Sequence, residues 1–249
     1  MTEHAPTEVQ HRPEAVRRRL EQANEHDYLA DGILGGIDGC VTTFAVVAGA
    51  TGGALSPLVV IILGFANLIA DGFSMAVSNY HGTQSERERV QQKRHTEERH
   101  IDAVPEGERE EIRQIFAQKG FEGDVLERIV ETITSDRRLW VDTMITEEYG
   151  LPLEGPDPFR AGATTFAAFC GVGLVPLLPY LVPALATATA FTVSSILTAA
   201  AFAGIGWVKG ARLQRPRVRA AWETFWAGGV AAVLAYAAGW GLRALFGAH

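Results

Sequence analysis

Apolar residues in this chain gather into long blocks separated by polar stretches. Five such blocks, about Leu29 to Ala50, Leu58 to Tyr80, Phe159 to Leu181, Ala184 to Val208 and Ala220 to Leu242, are each long enough to cross a hydrocarbon layer about 30 Å thick as a helix. The first two are joined by the uncharged turn Thr51-Gly52-Gly53-Ala54-Leu55-Ser56-Pro57, so they predict an antiparallel hairpin. The fold class is therefore all-α, a membrane protein with five transmembrane helices.

Between the second and third blocks the pattern changes. Gln84 to Gly150 carries 11 Lys/Arg against 17 Asp/Glu, a net of −6, and cannot lie in lipid. No proline interrupts the second span before Pro105, so that helix is expected to run on to about Asp102. Pro105 then opens a helix over Glu106 to Gln118, ended by Gly120, and a third runs from about Gly123 to Glu148, ended by Gly150 and Pro152. The chain divides into a segment 1–27, a transmembrane hairpin 28–82, a three-helix insert 83–153 and three further spans 154–249.

Averaging these two materials gives a mean hydropathy of only +0.08. Arg17 to Arg19, the basic residues from Arg87 to Arg138, and Lys209 to Arg219 fall on one side of the spans. The positive-inside rule places that side, with the N-terminus and the insert, in the cytosol, and the C-terminus opposite. The membrane is the plasma (inner) membrane or an organelle membrane. Residues 1–27 lack an apolar core, so the first span is expected to act as the targeting signal. Cys40 and Cys170 lie in different spans without metal-binding spacing, and no disulfide is expected. A net charge of −7, with basic residues following topology, argues against nucleic acid as a partner. No nucleophile–base pair, nucleotide loop or cofactor motif suggests an enzyme, and no prosthetic group is expected.

From Tyr28 to Tyr80 there are three acids, Asp31, Asp38 and Asp71, and no Lys or Arg. Asp38 and Asp71 both lie roughly 20 Å from the turn at 1.5 Å rise per residue, so they can face each other at one level. A carboxylate at membrane depth costs at least about 2.5 kcal/mol and commonly marks an ion pathway; the alternative is a cap at a helix break beside Gly36, Gly39 or Gly72. Asp31, nearer the helix start, reads as a cap or an entrance residue. Asn67, Asp71 and Met75 follow at four-residue intervals and share one face. Carboxylate oxygen with one thioether suits a borderline divalent ion such as Fe²⁺, although a lone methionine also serves simple packing. Glycines four apart, at 32/36, 35/39, 49/53 and 206/210, permit close helix approach in lipid.

Ligand types recur at helical spacing in the insert: Glu97 with His100, Glu108 with Glu111, and Met144 with Glu148. Brought together they would supply carboxylate, imidazole and thioether to divalent ions. The competing reading is a set of solvated faces laced with weak ion pairs.

The segments DGILGGIDGCVTTFAVVAGA, GFANLIADGFSMAVSNYHGTQSE, EEIRQIFAQKGF and MITEEYGLP, followed by apolar spans with PLLPY, resemble the vacuolar iron transporter family over about Leu29 to Leu242. The resemblance implies a five-span homodimer that moves Fe²⁺, and often Mn²⁺, out of the cytosol in exchange for protons. It places Asp38 and Met75 on the translocation path and Glu97, Glu108, Glu111, Met144 and Glu148 at metal-binding positions. Asn67 stands where the family has an acid, His100 where it has a glutamate and Ile145 where it has a second methionine, and Ser78-Asn79-Tyr80 replaces the GEY-type ending. Asp71, one turn from Asn67, is expected to supply the missing charge. Fe²⁺ or Mn²⁺ is then the substrate ion, with Zn²⁺ as a surrogate in binding measurements. A membrane-tethered metal sensor or storage protein is the alternative.

Overall fold

The computed structural model describes residues 12–22, 27–212 and 216–246. Among them every regular element is helical: α1 Pro13–Gln22, α2 Leu29–Gly52, α3 Pro57–Ala103, α4 Pro105–Gln118, α5 Gly123–Ser135, α6 Arg137–Glu147, α7 Pro158–Gly173, a 3₁₀ helix Val175–Leu181, α8 Thr187–Arg212 and α9 Arg217–Phe246. Two compact units result. Asp27–His81 with Pro158–His249 forms one, and Gly82–Asp157 with the N-terminal segment forms the other.

The first unit holds the apolar helices. Four of them are long and apolar enough to cross a membrane, and α7 with the 3₁₀ helix makes a fifth if that pair, bent by 43°, counts as one span. The protein is an integral membrane protein. The third apolar block, expected as a span over about Phe159 to Leu181, is bent near Leu174. The reason is local: Pro176 and Pro179 remove two N–H donors and cannot continue an α-helical ladder. A carbonyl freed by the break is used again, since the Ser194 hydroxyl donates to Pro176 O at 2.7 Å. Such repair is required where no water reaches the backbone.

Helix α2 lies at the centre of this unit and packs against α7, α8 and α9. Its glycines decide how closely. A Cβ on Gly35 or Gly39 would come within 3.0 Å of the Thr165 or Phe169 carbonyl of α7, and one on Gly52 would meet Tyr236 O of α9 equally closely. Backbone-to-backbone contact of this kind gives van der Waals adhesion where the hydrophobic effect is missing. Around it Phe44, Val47, Val60, Leu68, Phe169 and Leu177 form a buried cluster.

In the second unit α3 continues unbroken to Ala103, as the lack of proline implied, and Pro105 opens α4. The third insert helix, expected to be continuous from Gly123 to Glu148, is instead two helices. Asp136 adopts extended backbone and its carboxylate accepts from the N–H groups of Arg138 and Leu139 at 2.9 and 3.2 Å, so it caps α6. The break lets two apolar stripes face one core. Leu126, Val130 and Ile133 of α5 meet Trp140, Val141, Met144 and Ile145 of α6 and Ile112 of α4.

Candidate metal sites in the insert and the membrane helices

Within the insert, six acids pair with arginine or lysine among the described residues. Arg113 joins Glu110 and Glu127, Arg137 joins Asp102, Arg94 joins Asp142 and Lys119 joins Glu147. The solvated-face reading describes these residues. Glu97 and Glu108 differ: they are 1% and 3% exposed, and neither forms an ion pair with Lys or Arg among the described residues.

Their placement follows from the helices. Glu97 and His100 project from one face of α3, and the turn at Val104-Pro105 folds α4 back so that Glu108 reaches them. One ligand atom from each of Glu97, His100 and Glu108 lies within 4.8 Å of the others, and His100 Nδ1 is 3.3 Å from Glu108 Oε1. The Tyr149 hydroxyl donates to Glu97 Oε1 at 2.7 Å. The second oxygen of each glutamate, Glu97 Oε2 and Glu108 Oε2, is fully shielded and has no hydrogen-bond partner. Shielded carboxylate oxygens without donors are costly, and a cation held between the two glutamates would offset that cost.

The electrostatics agree. Burial, then the charges of Glu111, Glu97 and Glu148, raise the Glu108 carboxyl to about 7. Glu148 is raised by partial burial and by Glu97, with the Tyr149 hydroxyl and Lys93 acting the other way. Tyr149 is itself raised, first by burial and then by its bond to Glu97. The charges of Glu111 and Glu148 thus act on the same buried carboxyl. Met144 is wholly buried in the apolar core beside Ile112 and Ile145. Of the candidates, the structure brings Glu97, His100 and Glu108 into contact, sets Glu111 and Glu148 within electrostatic reach and places Met144 in the core. Tyr149 was missed from the sequence. Its only signal there was adjacency to Glu148.

In the membrane unit, α2 and α3 carry a line of polar groups. The Asn67 amide donates to the hydroxyls of Thr42 and Thr43 at 3.2 and 3.4 Å. One turn along, the half-buried Asp38 and the exposed Asp71 are close enough for their charges to interact, and Asp38 makes no side-chain hydrogen bond among the described residues. Met75, partly buried, packs on the apolar cluster. At the end of the line Asn79 donates to Asp31 Oδ1 and Thr165 Oγ1, both at 2.8 Å. Glu223 pairs with Arg219 at 3.1 Å, within one turn of α9.

With the carboxylates located, comparison with known proteins is informative. The model of the VIT family matches residues 29–240. This chain belongs to the VIT family. It is 31% identical to a vacuolar iron transporter of Toxoplasma gondii, with 90% of this chain and 77% of the relative covered. It is 33% identical to vacuolar iron transporter 1 of Arabidopsis thaliana, covering 84% of each. Against vacuolar iron transporter 1 of Eucalyptus grandis it is 32% identical, covering 90% and 92%.

Proposed function

We propose that this protein is a divalent metal transporter that carries Fe²⁺, and also Mn²⁺, out of the cytosol in exchange for protons. The observation that carries the reading is the Asp38–Asp71 pair: two acids inside the apolar hairpin of a VIT-family chain, with no Lys or Arg between Tyr28 and Tyr80 to neutralise them. A bound cation offsets the cost of holding both charges at membrane depth. The insert, in the cytosol, captures the ion at Glu97, His100 and Glu108, with Glu111 and Glu148 adding charge. Met144 is assigned there on family resemblance alone. The ion then moves to Asp38, Asp71 and Met75, with Asn67 one turn beyond.

Protons drive release. A carboxylate beside a cation stays ionised, whereas two acids left without one in low dielectric favour uptake of a proton. Exchange follows from that competition. Asp71 is exposed on a single chain, within the apolar part of α3. A second copy of the chain, forming a homodimer, would cover it and complete the path.

Purified protein in liposomes loaded with a pH-sensitive dye tests this directly. Fe²⁺ added on the insert side should drive proton movement in the wild type, and Asp38→Ala should abolish it. Unchanged flux in Asp38→Ala overturns the assignment of the path. A wild-type protein that binds Fe²⁺ at the insert yet moves no ion would instead be a membrane-tethered sensor or store.

A further inference from the structure

Asp31 lies outside the pair described above, yet the structure builds it into the same helix face. It precedes Asp38 by seven residues, two turns of α2, so the two carboxylates lie on one stripe. On α3 the matching stripe is Asn67, Asp71, Met75 and Asn79, at four-residue steps. The two stripes run antiparallel and are stitched at both ends: Asn67 to Thr42 and Thr43, Asn79 to Asp31. Between the stitches stand Asp38 and Asp71.

Asn79 is held as well as holding. One amide group serves two acceptors, Asp31 Oδ1 on α2 and Thr165 Oγ1 on α7, both at 2.8 Å. Thr165 is fully buried, and its hydroxyl also lies 3.0 Å from Ala161 O. The backbone here is equally constrained, because the close approach at Gly35 is to the Thr165 carbonyl. Three helices therefore fix one carboxylate in one position. No Lys or Arg forms an ion pair with Asp31 among the described residues. A residue needed only to steady the first turn of α2 does not require a donor from another helix, locked in turn by a third.

We propose that Asp31, oriented by Asn79 and Thr165, is the charged mouth of the ion path, a weak binding site that draws the divalent cation from the insert side towards Asp38 and Asp71. This rests on the transport reading above. Asn79 is a positioning residue: it contributes no charge and fixes the direction in which the Asp31 carboxylate points. A neutral amide at this place leaves one negative charge at the mouth and two deeper in, so the cation is drawn inward rather than retained at the surface.

The test is metal uptake by proteoliposomes containing full-length protein, with Fe²⁺ or Mn²⁺ varied at two ionic strengths. Asp31→Asn keeps an acceptor oxygen for Asn79 and removes only the charge. It should raise KM by about fivefold at low salt while leaving the saturated rate within about twofold, because one charge at a mouth governs capture rather than translocation. The rise of KM with salt expected of the wild type should flatten in this variant. Asn79→Ala should raise KM in the wild-type background and leave it unchanged in the Asp31→Asn background.

Unaltered KM and salt dependence in Asp31→Asn would show a structural cap and overturn the proposal. Loss of the saturated rate in a monodisperse Asp31→Asn protein would place Asp31 in translocation itself and overturn it equally. An equal effect of Asn79→Ala in both backgrounds would remove the positioning role. Absence of uptake by the wild type would overturn the transport reading, an outcome distinct from any of these.

Discussion

Replacing Glu108 by glutamine tests the physical account of the insert most sharply. In the metal-free protein the Glu108 carboxyl is raised from an ordinary 4.5 to about 7 by burial and by the charges of Glu111, Glu97 and Glu148. The folded insert then holds a proton that the unfolded chain releases between those two values. Stability of the metal-free insert is accordingly full below pH 4.5 and declines as pH rises to about 7, above which the loss is complete. The whole change corresponds to about 3 kcal/mol. A divalent ion reverses it by replacing the proton, and its apparent affinity should fall about tenfold for each pH unit below 7.

Hydrogen exchange on the full-length protein, following amides of α3, α4 and α6 at pH 6 and pH 8 with and without Mn²⁺, reads this local stability. Once intrinsic exchange rates are corrected for, the wild type should open more readily at pH 8 without metal, and added Mn²⁺ should restore protection. Glu108→Gln should show nearly equal protection at both pH values and little response to the ion. Wild-type protection independent of pH, or a full Mn²⁺ response in Glu108→Gln, would refute the reasoning.

Three further outcomes are expected. Tyr149→Phe removes the donor to Glu97 Oε1 and should weaken metal-free protection of the insert by about 1.5 to 3 kcal/mol, also measured by hydrogen exchange; unchanged protection would mean that this bond contributes nothing. Asp136→Ala deletes the cap that starts α6 and should cost the insert about 1 kcal/mol, visible as faster exchange at Arg138 and Leu139. Gly39→Ala places a Cβ against the Phe169 carbonyl, forcing α2 and α7 apart at a cost of about 1–3 kcal/mol. Thermal inactivation in detergent should show that loss, whereas Gly171→Ala, whose Cβ meets nothing within 4 Å, should leave stability equal or higher.

Much of this architecture is legible in the sequence. Apolar block length, charge placement and the positions of Pro105, Gly120 and Gly150 depend on local chemistry, and the described helices begin and end close to where those residues put them. Where the reading departed from the structure, the deciding interactions were tertiary. The run from Gly123 to Glu148 contains no proline and no internal glycine, so the one local sign of a break was Asp136 itself, a residue type that caps helices but also stands on their exposed faces. That break exists because α5 and α6 must both turn an apolar stripe towards Ile112. The bend after α7 was signalled by Pro176 and Pro179, but spans tolerate proline, and its extent depended on Ser194 being available to satisfy a freed carbonyl.

The candidate sites divide along the same line. Sequence by itself determined that acids stand in the first hairpin without counter-charge and that ligand types repeat at helical spacing in the insert, because periodicity along one helix is a local property. It named Glu97 and Glu108 among the candidates but could not rank them above Glu111 and Glu148. All share one chemistry, and only packing of α3 on α4 left these two shielded from water and from arginine while Glu110 and Glu127 found Arg113. Tyr149 and the Asp31–Asn79–Thr165 chain likewise came from tertiary structure, since each joins residues 48 or more positions apart. Burial and partner choice are properties of the folded arrangement, and they turned a list of plausible ligands into particular carboxylates.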